Sequence, residues 1–178
     1  MSRRLDRRGV IIAGGGTAGH LLPGLAIADA LVASGMPPTE VQFVGGDRGV
    51  ERALVPAAGY VVSELPGRGI QRRFTLANLG ALWSLLGGMF RGIAVVRRVR
   101  PGVVVVLGGY ASFACGVGAV LTRTPMVLVE QNARAGAVNR ALRWFAKASA
   151  VSFPDTDLPR ATVTGNPLRA SVAAAARR

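Results

Sequence analysis

"VIIAGGGTAGHLLPGLAIADAL", Val10 to Leu31, decides how the rest of the chain is read. A short apolar run leads into glycines and then into a helical pattern, which is the order strand, tight loop, helix. Gly14, Gly16 and Gly19 satisfy the pattern G-x-G-x-x-G. Such a loop lets the backbone approach a phosphate, and the helix after it turns free N–H groups and a positive dipole end toward an anion. His20 stands directly after the last glycine, where a dinucleotide site has no use for it. An imidazole titrating at about 6.5 accepts a proton at neutral pH. His20 is therefore read either as a general base or as a helix cap or phosphate ligand.

Outward from this unit the same alternation repeats. "EVQFVG" (40–45) reads as the second strand, followed by a helix from about Val50 to Ala58. "YVVSEL" (60–65) is a third strand, and a long helix is expected from about Thr75 to Val99. Pro101 and Gly102 punctuate the chain before the strand "VVVVL", with a helix from about Ser112 to Leu121. "MVLVE" precedes a helix from about Gly136 to Phe145, and "SAVS" and "ATVT" are short closing strands. Strands alternating with helices imply an α/β fold with a parallel sheet and right-handed crossovers. The reading is one domain over residues 9–169, with a basic extension at 1–8 and an alanine-rich tail at 170–178.

Composition narrows the partners. Lys and Arg total 22 against 9 acidic residues, a net charge of +13. That balance favours phosphorylated ligands or an anionic membrane face. With two Tyr and two Trp there is no aromatic platform interleaved with the arginines, and nucleic acid is not expected. One His, one Cys and no clustered carboxylates give no metal site, and no cofactor is expected. Cys115, in an apolar run, reads as a small buried residue. The basic start followed by "GVIIA" imitates a signal peptide but breaks into glycines after Ala13, and 101–122 is interrupted by "GGYAS" and reads as strand, loop and helix.

Ligands of such a sheet bind beyond the carboxyl ends of the strands. After "VVVVL" comes Gly108-Gly109-Tyr110, a second glycine loop opening a helix. After "MVLV" comes "EQNARAGAVN", where Glu130 can position or deprotonate a hydroxyl and Asn132 and Asn139 can donate to sugar or phosphate oxygens. "TGNPLR" closes the last strand, and Arg169 there can grip a phosphate.

"GGGTAGHLLPGLAIADAL", "GGYAS", "EQNARAGAVNRAL" and "GNPLR", in this order and spacing, resemble the N-terminal half of glycosyltransferase family 28. The resemblance covers about Gly9 to Arg169. Its members of this kind move N-acetylglucosamine from UDP-N-acetylglucosamine to the undecaprenyl-diphosphate-linked muramyl-pentapeptide of peptidoglycan synthesis. It implies the N-terminal, Rossmann-like domain of a GT-B glycosyltransferase, a hexosyltransferase that inverts at the sugar carbon. It places Thr17, Ala18, Gly19, Asn132 and Arg169 at the donor, and Gly15, Gly16, Gly108, Gly109, Tyr110 and Asn139 at the acceptor. His20 and Glu130 become the catalytic candidates. Val129 stands where many members carry a histidine, and Ala18 where many carry a third glycine. The C-terminal donor domain, or other cell-wall synthesis proteins, would be the partners. A non-catalytic recruiter presenting a lipid-linked sugar to a separate donor-binding subunit is the alternative, and a nicotinamide or flavin oxidoreductase a more distant one.

A lipid-linked acceptor implies a peripheral place on the cytoplasmic face of the bacterial membrane. "RRFTLANLGALWSLLGGMFRG" supplies a candidate surface. Phe74, Leu79, Trp83 and Phe90 lie in an uncharged helical run flanked by Arg72, Arg73 and Arg91, which can snorkel to lipid phosphates. Gly87-Gly88 weakens the run, and it is too short to span a bilayer.

Overall fold

The computed structural model describes residues 8–15, 18–47, 49–66 and 77–169. Gly16, Thr17, Arg72, Arg73 and Phe74, all singled out above, lie outside the described residues.

Seven strands form one sheet in the order β3-β2-β1-β4-β5-β6-β7. They are β1 (Val10–Ala13), β2 (Val41–Gly46), β3 (Val61–Leu65), β4 (Val103–Val106), β5 (Met126–Glu130), β6 (Ala148–Val151) and β7 (Ala161–Val163). Every pairing is parallel, as the alternation requires. The helices are α1 (Ala18–Ala33), α2 (Glu51–Ala57), α3 (Ala77–Val99), α4 (Tyr110–Thr122) and α5 (Ala137–Leu142), with a 3-10 turn at Pro38–Glu40.

β1 lies inside the sheet, between β2 and β4, and is buried along its whole length. Its side chains alternate between two cores. Ile11 and Ala13 join Val104, Val106, Cys115 and Leu128 under α3, α4 and α5, whereas Val10 and Ile12 join Leu21, Leu25, Phe43 and Val55 under α1 and α2. A sheet covered on both faces explains why its strands read as unbroken apolar runs. Each fully buried Ile or Leu contributes on the order of 1.5–3 kcal/mol. Cys115 is fully buried, and burial pushes its thiol pKa up to about 12, so it serves as packing.

The element boundaries depart from the sequence reading in two informative places. α1 begins at Ala18 rather than Leu21, running through Pro23. Proline so near a helix start costs one hydrogen bond, the one to the Gly19 carbonyl, and Gly19 is exposed. α5 stops at Leu142, and Arg143–Phe145 form a turn tightened by a bond from the Phe145 N–H to the Leu142 carbonyl. Asn139 and Leu142 are its buried residues, while Trp144 and Phe145 face outward. α3, expected to run to Val99, does so unbroken through Gly87-Gly88. A Cβ on Gly88 would meet the Pro66 carbonyl oxygen at 2.1 Å, and one on Gly92 would meet the Ala114 Cβ at 2.6 Å. Those glycines let α3 lie close against α4 and the end of β3.

Candidate functional site

The loops beyond β1, β4 and β5 converge, because those strands are adjacent in the sheet. β1 delivers the first glycine loop and, through α1, His20. β4 delivers Gly108 and Gly109, and β5 ends at Glu130. A pocket of about 290 Å³ opens between them, lined by His20, Leu107, Gly108, Gly109, Glu130, Asn132, Gly136, Ala137, Val138 and Asn139. It is bordered by the N-termini of α1 and α4, neither of which carries an acidic residue in its first turn. Both helices thus turn positive dipole ends toward the same space.

The two glycine loops touch through their backbones. A Cβ on Gly109 would lie 2.9 Å from the Gly15 carbonyl oxygen, and one on Gly108 would lie 2.9 Å from His20 Nε2. Both glycines have positive φ, +107° at Gly108 and +83° at Gly109, so close approach and backbone conformation each exclude a side chain.

Glu130 is only 3% exposed and is gripped from four directions. Its Oε1 accepts from the Asn132 N–H at 3.1 Å and from Asn132 Nδ2 at 2.8 Å. Its Oε2 accepts from the Gly136 N–H at 2.8 Å and from Asn139 Nδ2 at 2.9 Å. Burial works against its charge and is the largest single influence, but the donors from Gly136, Asn139 and Asn132 together outweigh it. The carboxyl is held below its ordinary pKa. "EQNARAGAVN" is therefore a loop folded around one carboxylate.

Asn139 is itself buried, and Nδ2 also donates to the Val129 carbonyl at 3.1 Å. Since both partners of Nδ2 are acceptors, the orientation of the amide is determined, and Oδ1 is left buried without a hydrogen-bond partner. An unpaired buried acceptor on a pocket wall is unusual and costs stability.

Other predicted residues lie elsewhere. The Tyr110 hydroxyl donates to the Leu85 carbonyl of α3, and burial raises its pKa. Its ring is thus committed to the α3–α4 junction, away from the pocket lining. Arg169 is not brought to the pocket: its Nε is 3.3 Å from Asp29 Oδ2 on α1. Asp29 in turn accepts from the Tyr60 hydroxyl at 2.9 Å. Burial first, then this bond and the Asp29 charge, push Tyr60 up to about 12 against the opposing charge of Arg169. On α3, Trp83 and Phe90 are both 71% exposed, with Leu86 and Arg91 exposed beside them, while Val95 and Val96 face the core. Leu79 lies on the same helix. Among the described residues no helix is long and apolar enough to cross a membrane, and no cluster of three His, Cys, Asp or Glu side chains forms a metal site.

Two residues beneath the loops escaped the sequence reading. Glu51, 1% exposed, accepts from the Gly46 N–H at 2.7 Å, and its carboxylate fills the space where side chains on Gly15, Gly45 and Gly49 would go. Ser112 is fully buried between β1 and the second glycine loop. The run of glycines around position 46 was a signal for the first; nothing local signals the second.

The fold and the converging loops define the class: a Rossmann-like α/β domain with a pocket at the carboxyl ends of β1, β4 and β5. Residues 10–151 match the glycosyltransferase family 28 N-terminal domain, and the chain belongs to that family. It is 42% identical over 173 residues to the UDP-N-acetylglucosamine--N-acetylmuramyl-(pentapeptide) pyrophosphoryl-undecaprenol N-acetylglucosamine transferase of Burkholderia vietnamiensis, covering 94% of this chain and 45% of that protein. The crystal structure of Acinetobacter baumannii MurG superposes with a TM-score of 0.74 at 27% identity, over 89% of this chain and 46% of the other. A Listeria monocytogenes protein described as a putative UDP-N-acetylglucosamine 2-epimerase shares the fold at a TM-score of 0.64 and 18% identity, over 91% of this chain and 46% of that one. The chain spans about half the length of the relatives it matches, corresponding to the N-terminal domain of a GT-B glycosyltransferase.

Proposed function

We propose that this chain is the acceptor- and membrane-binding half of an inverting transferase that moves N-acetylglucosamine from UDP-N-acetylglucosamine to an undecaprenyl-diphosphate-linked muramyl-pentapeptide. The observation that carries the reading is the pocket shared by His20, Gly108, Gly109, Glu130 and Asn139. Two helix N-termini and two glycine backbones suit the acceptor diphosphate. The unpaired Asn139 Oδ1 suits a sugar hydroxyl, which would supply the missing donor.

The chemistry divides between the two titratable groups. All four donors to Glu130 stabilise its charged form, which makes it a weak base and a strong organiser of the loop. His20 is the better general base. As the acceptor 4-hydroxyl oxygen bonds to the sugar C1 from the face opposite the diphosphate, His20 takes the hydroxyl proton. The C1–O bond to UDP breaks and UDP leaves with the electron pair. Thr17, Ala18, Gly19 and Asn132 would stand at the donor sugar, with most of the UDP held by the C-terminal domain. The Trp83–Leu86–Phe90 stripe beside Arg91 would rest on the anionic cytoplasmic face of the membrane.

A thermal-shift titration with a water-soluble acceptor diphosphate analogue tests this, with NAD and UDP-N-acetylglucosamine in parallel. The analogue is expected to stabilise the chain, and Asn139→Ala to weaken the effect. Stabilisation by NAD alone would overturn the reading. Co-sedimentation with anionic vesicles should fall when Trp83 and Phe90 are both changed to Ser.

A further inference from the structure

The two glycine loops belong to strands far apart in sequence, yet their geometry must agree to a fraction of an ångström for a ligand to touch both. One side chain joins them from below. Ser112 sits in the first turn of α4 and is fully buried. Its hydroxyl donates to the carbonyl of Ala13, the last residue of β1 before the first glycine loop. The same oxygen accepts from the Gly108 N–H at 3.1 Å. Gly108, at φ +107°, is the residue against which His20 Nε2 rests. A single oxygen therefore links the end of β1, the second glycine loop and the wall beside the imidazole.

We propose that Ser112 is a positioning residue that holds the Gly108–Gly109 loop, and through it His20, in register with the loop after β1. It does not line the pocket. Without its hydroxyl, the Gly108 N–H would be buried and unpaired, while the Ala13 carbonyl would keep only the bond from the Leu107 N–H, so the loop would move until the Gly108 N–H found another partner. The imidazole would lose its fixed neighbour. The consequence for catalysis rests on the transferase reading, but the positioning itself is readable without any sugar transfer.

His20 is the single histidine of the chain, which gives it an unambiguous NMR signal in protein made without a histidine tag. In Ser112→Ala the His20 Hε1–Cε1 resonance should be displaced and broadened. Amide exchange at Gly108 should accelerate about tenfold or more, as the loss of one buried hydrogen bond requires. Ser112→Cys, which keeps the shape and weakens both bonds, should give intermediate changes and decides the matter if the alanine variant does not fold. Ser149→Ala is the control. Ser149 on β6 is equally buried and donates to the Pro159 carbonyl at 2.9 Å, but lies outside the pocket lining. It should lose stability without displacing His20. An unmoved His20 resonance in the Ser112 variants, unchanged Gly108 exchange, or an equal displacement in Ser149→Ala would overturn the proposal. Displacement of His20 in a chain that ignores the acceptor analogue would keep the joint and sink the transferase reading instead.

Discussion

The two ends of the sheet use positive φ for different purposes. At the amino ends of the strands, four of the five helices close with a left-handed residue. Gly35 follows α1, Gly59 follows α2, Arg100 follows α3 and Arg123 follows α4. The N–H groups of Gly35 and Met36 return to the carbonyls of Val32 and Leu31, and Gly59 with Tyr60 and Arg123 with Thr124 repeat the pattern. Nothing lies within 4 Å of a Cβ built on Gly35 or Gly59. At the carboxyl ends, Gly108 and Gly109 also have positive φ, with Gly109 extended at ψ 172°, but they press on His20 and Gly15. Glycine at one end satisfies only the chain's own turn; at the other it also makes room for the site.

Substitutions can break that contrast. Gly108→Ala should have the largest effect, since the new methyl would meet both an unfavourable φ and His20 Nε2. On the proposed transferase reading, the chain joined to a C-terminal donor domain should lose about 100-fold or more in kcat/KM, the scale of an ångström misplacement, measured by steady-state kinetics.

Glu130→Ala should follow, leaving four donors around an empty site. A loss of about 3 kcal/mol or more is expected from urea melts at neutral pH. The pH dependence has a definite sign. Folding lowers the Glu130 pKa, so its contribution is complete above the unfolded value and drains away as pH falls through the folded one. The stability gap between the parent and Glu130→Gln should therefore narrow on acidification below about pH 4.

At the opposite end, Gly35→Ala should cost about 1–2 kcal/mol with ligand affinity unchanged. The smallest effect belongs to Arg123→Gly. Relief of the left-handed arginine is offset by the freedom glycine gains in the unfolded chain, so the net change should be within ~1 kcal/mol, read as a slight change in melting temperature. Altered ligand affinity in either variant would show that the two ends are not separable.

The sheet was legible because its determinants are local. Val10–Ala13 and Val103–Val106 are apolar runs bounded by glycine or proline, and alternation with helices leaves few topologies. The convergence of "GGGTAGH", "GGYAS" and "EQNARAGAVN" followed from one rule about strand ends. What stayed hidden depends on approach between distant segments. Gly88 reads as a helix weakener until Tyr110 and Pro66 are seen against it. Tyr110 itself follows two glycines of the pocket wall, yet the direction of its ring is set by α3. Arg169 looks like a phosphate ligand in "GNPLR" and instead meets Asp29, far along the chain. Ser112 is one unremarkable serine in an apolar helix until the Ala13 carbonyl is placed beside it.

The position of β1 has a kinetic consequence. Of the seven strands it is the first to leave the ribosome, yet it lies inside the sheet, pairing Val10 with Val41 on one side and with Val103 on the other. During synthesis one edge of this wholly apolar strand has no partner until β4 has been made. Closing so long a loop before any long-range contact rewards it slows folding, and the waiting edge is a template for association with other chains. Nascent chains halted between β3 and β4 should therefore be the species most dependent on chaperones.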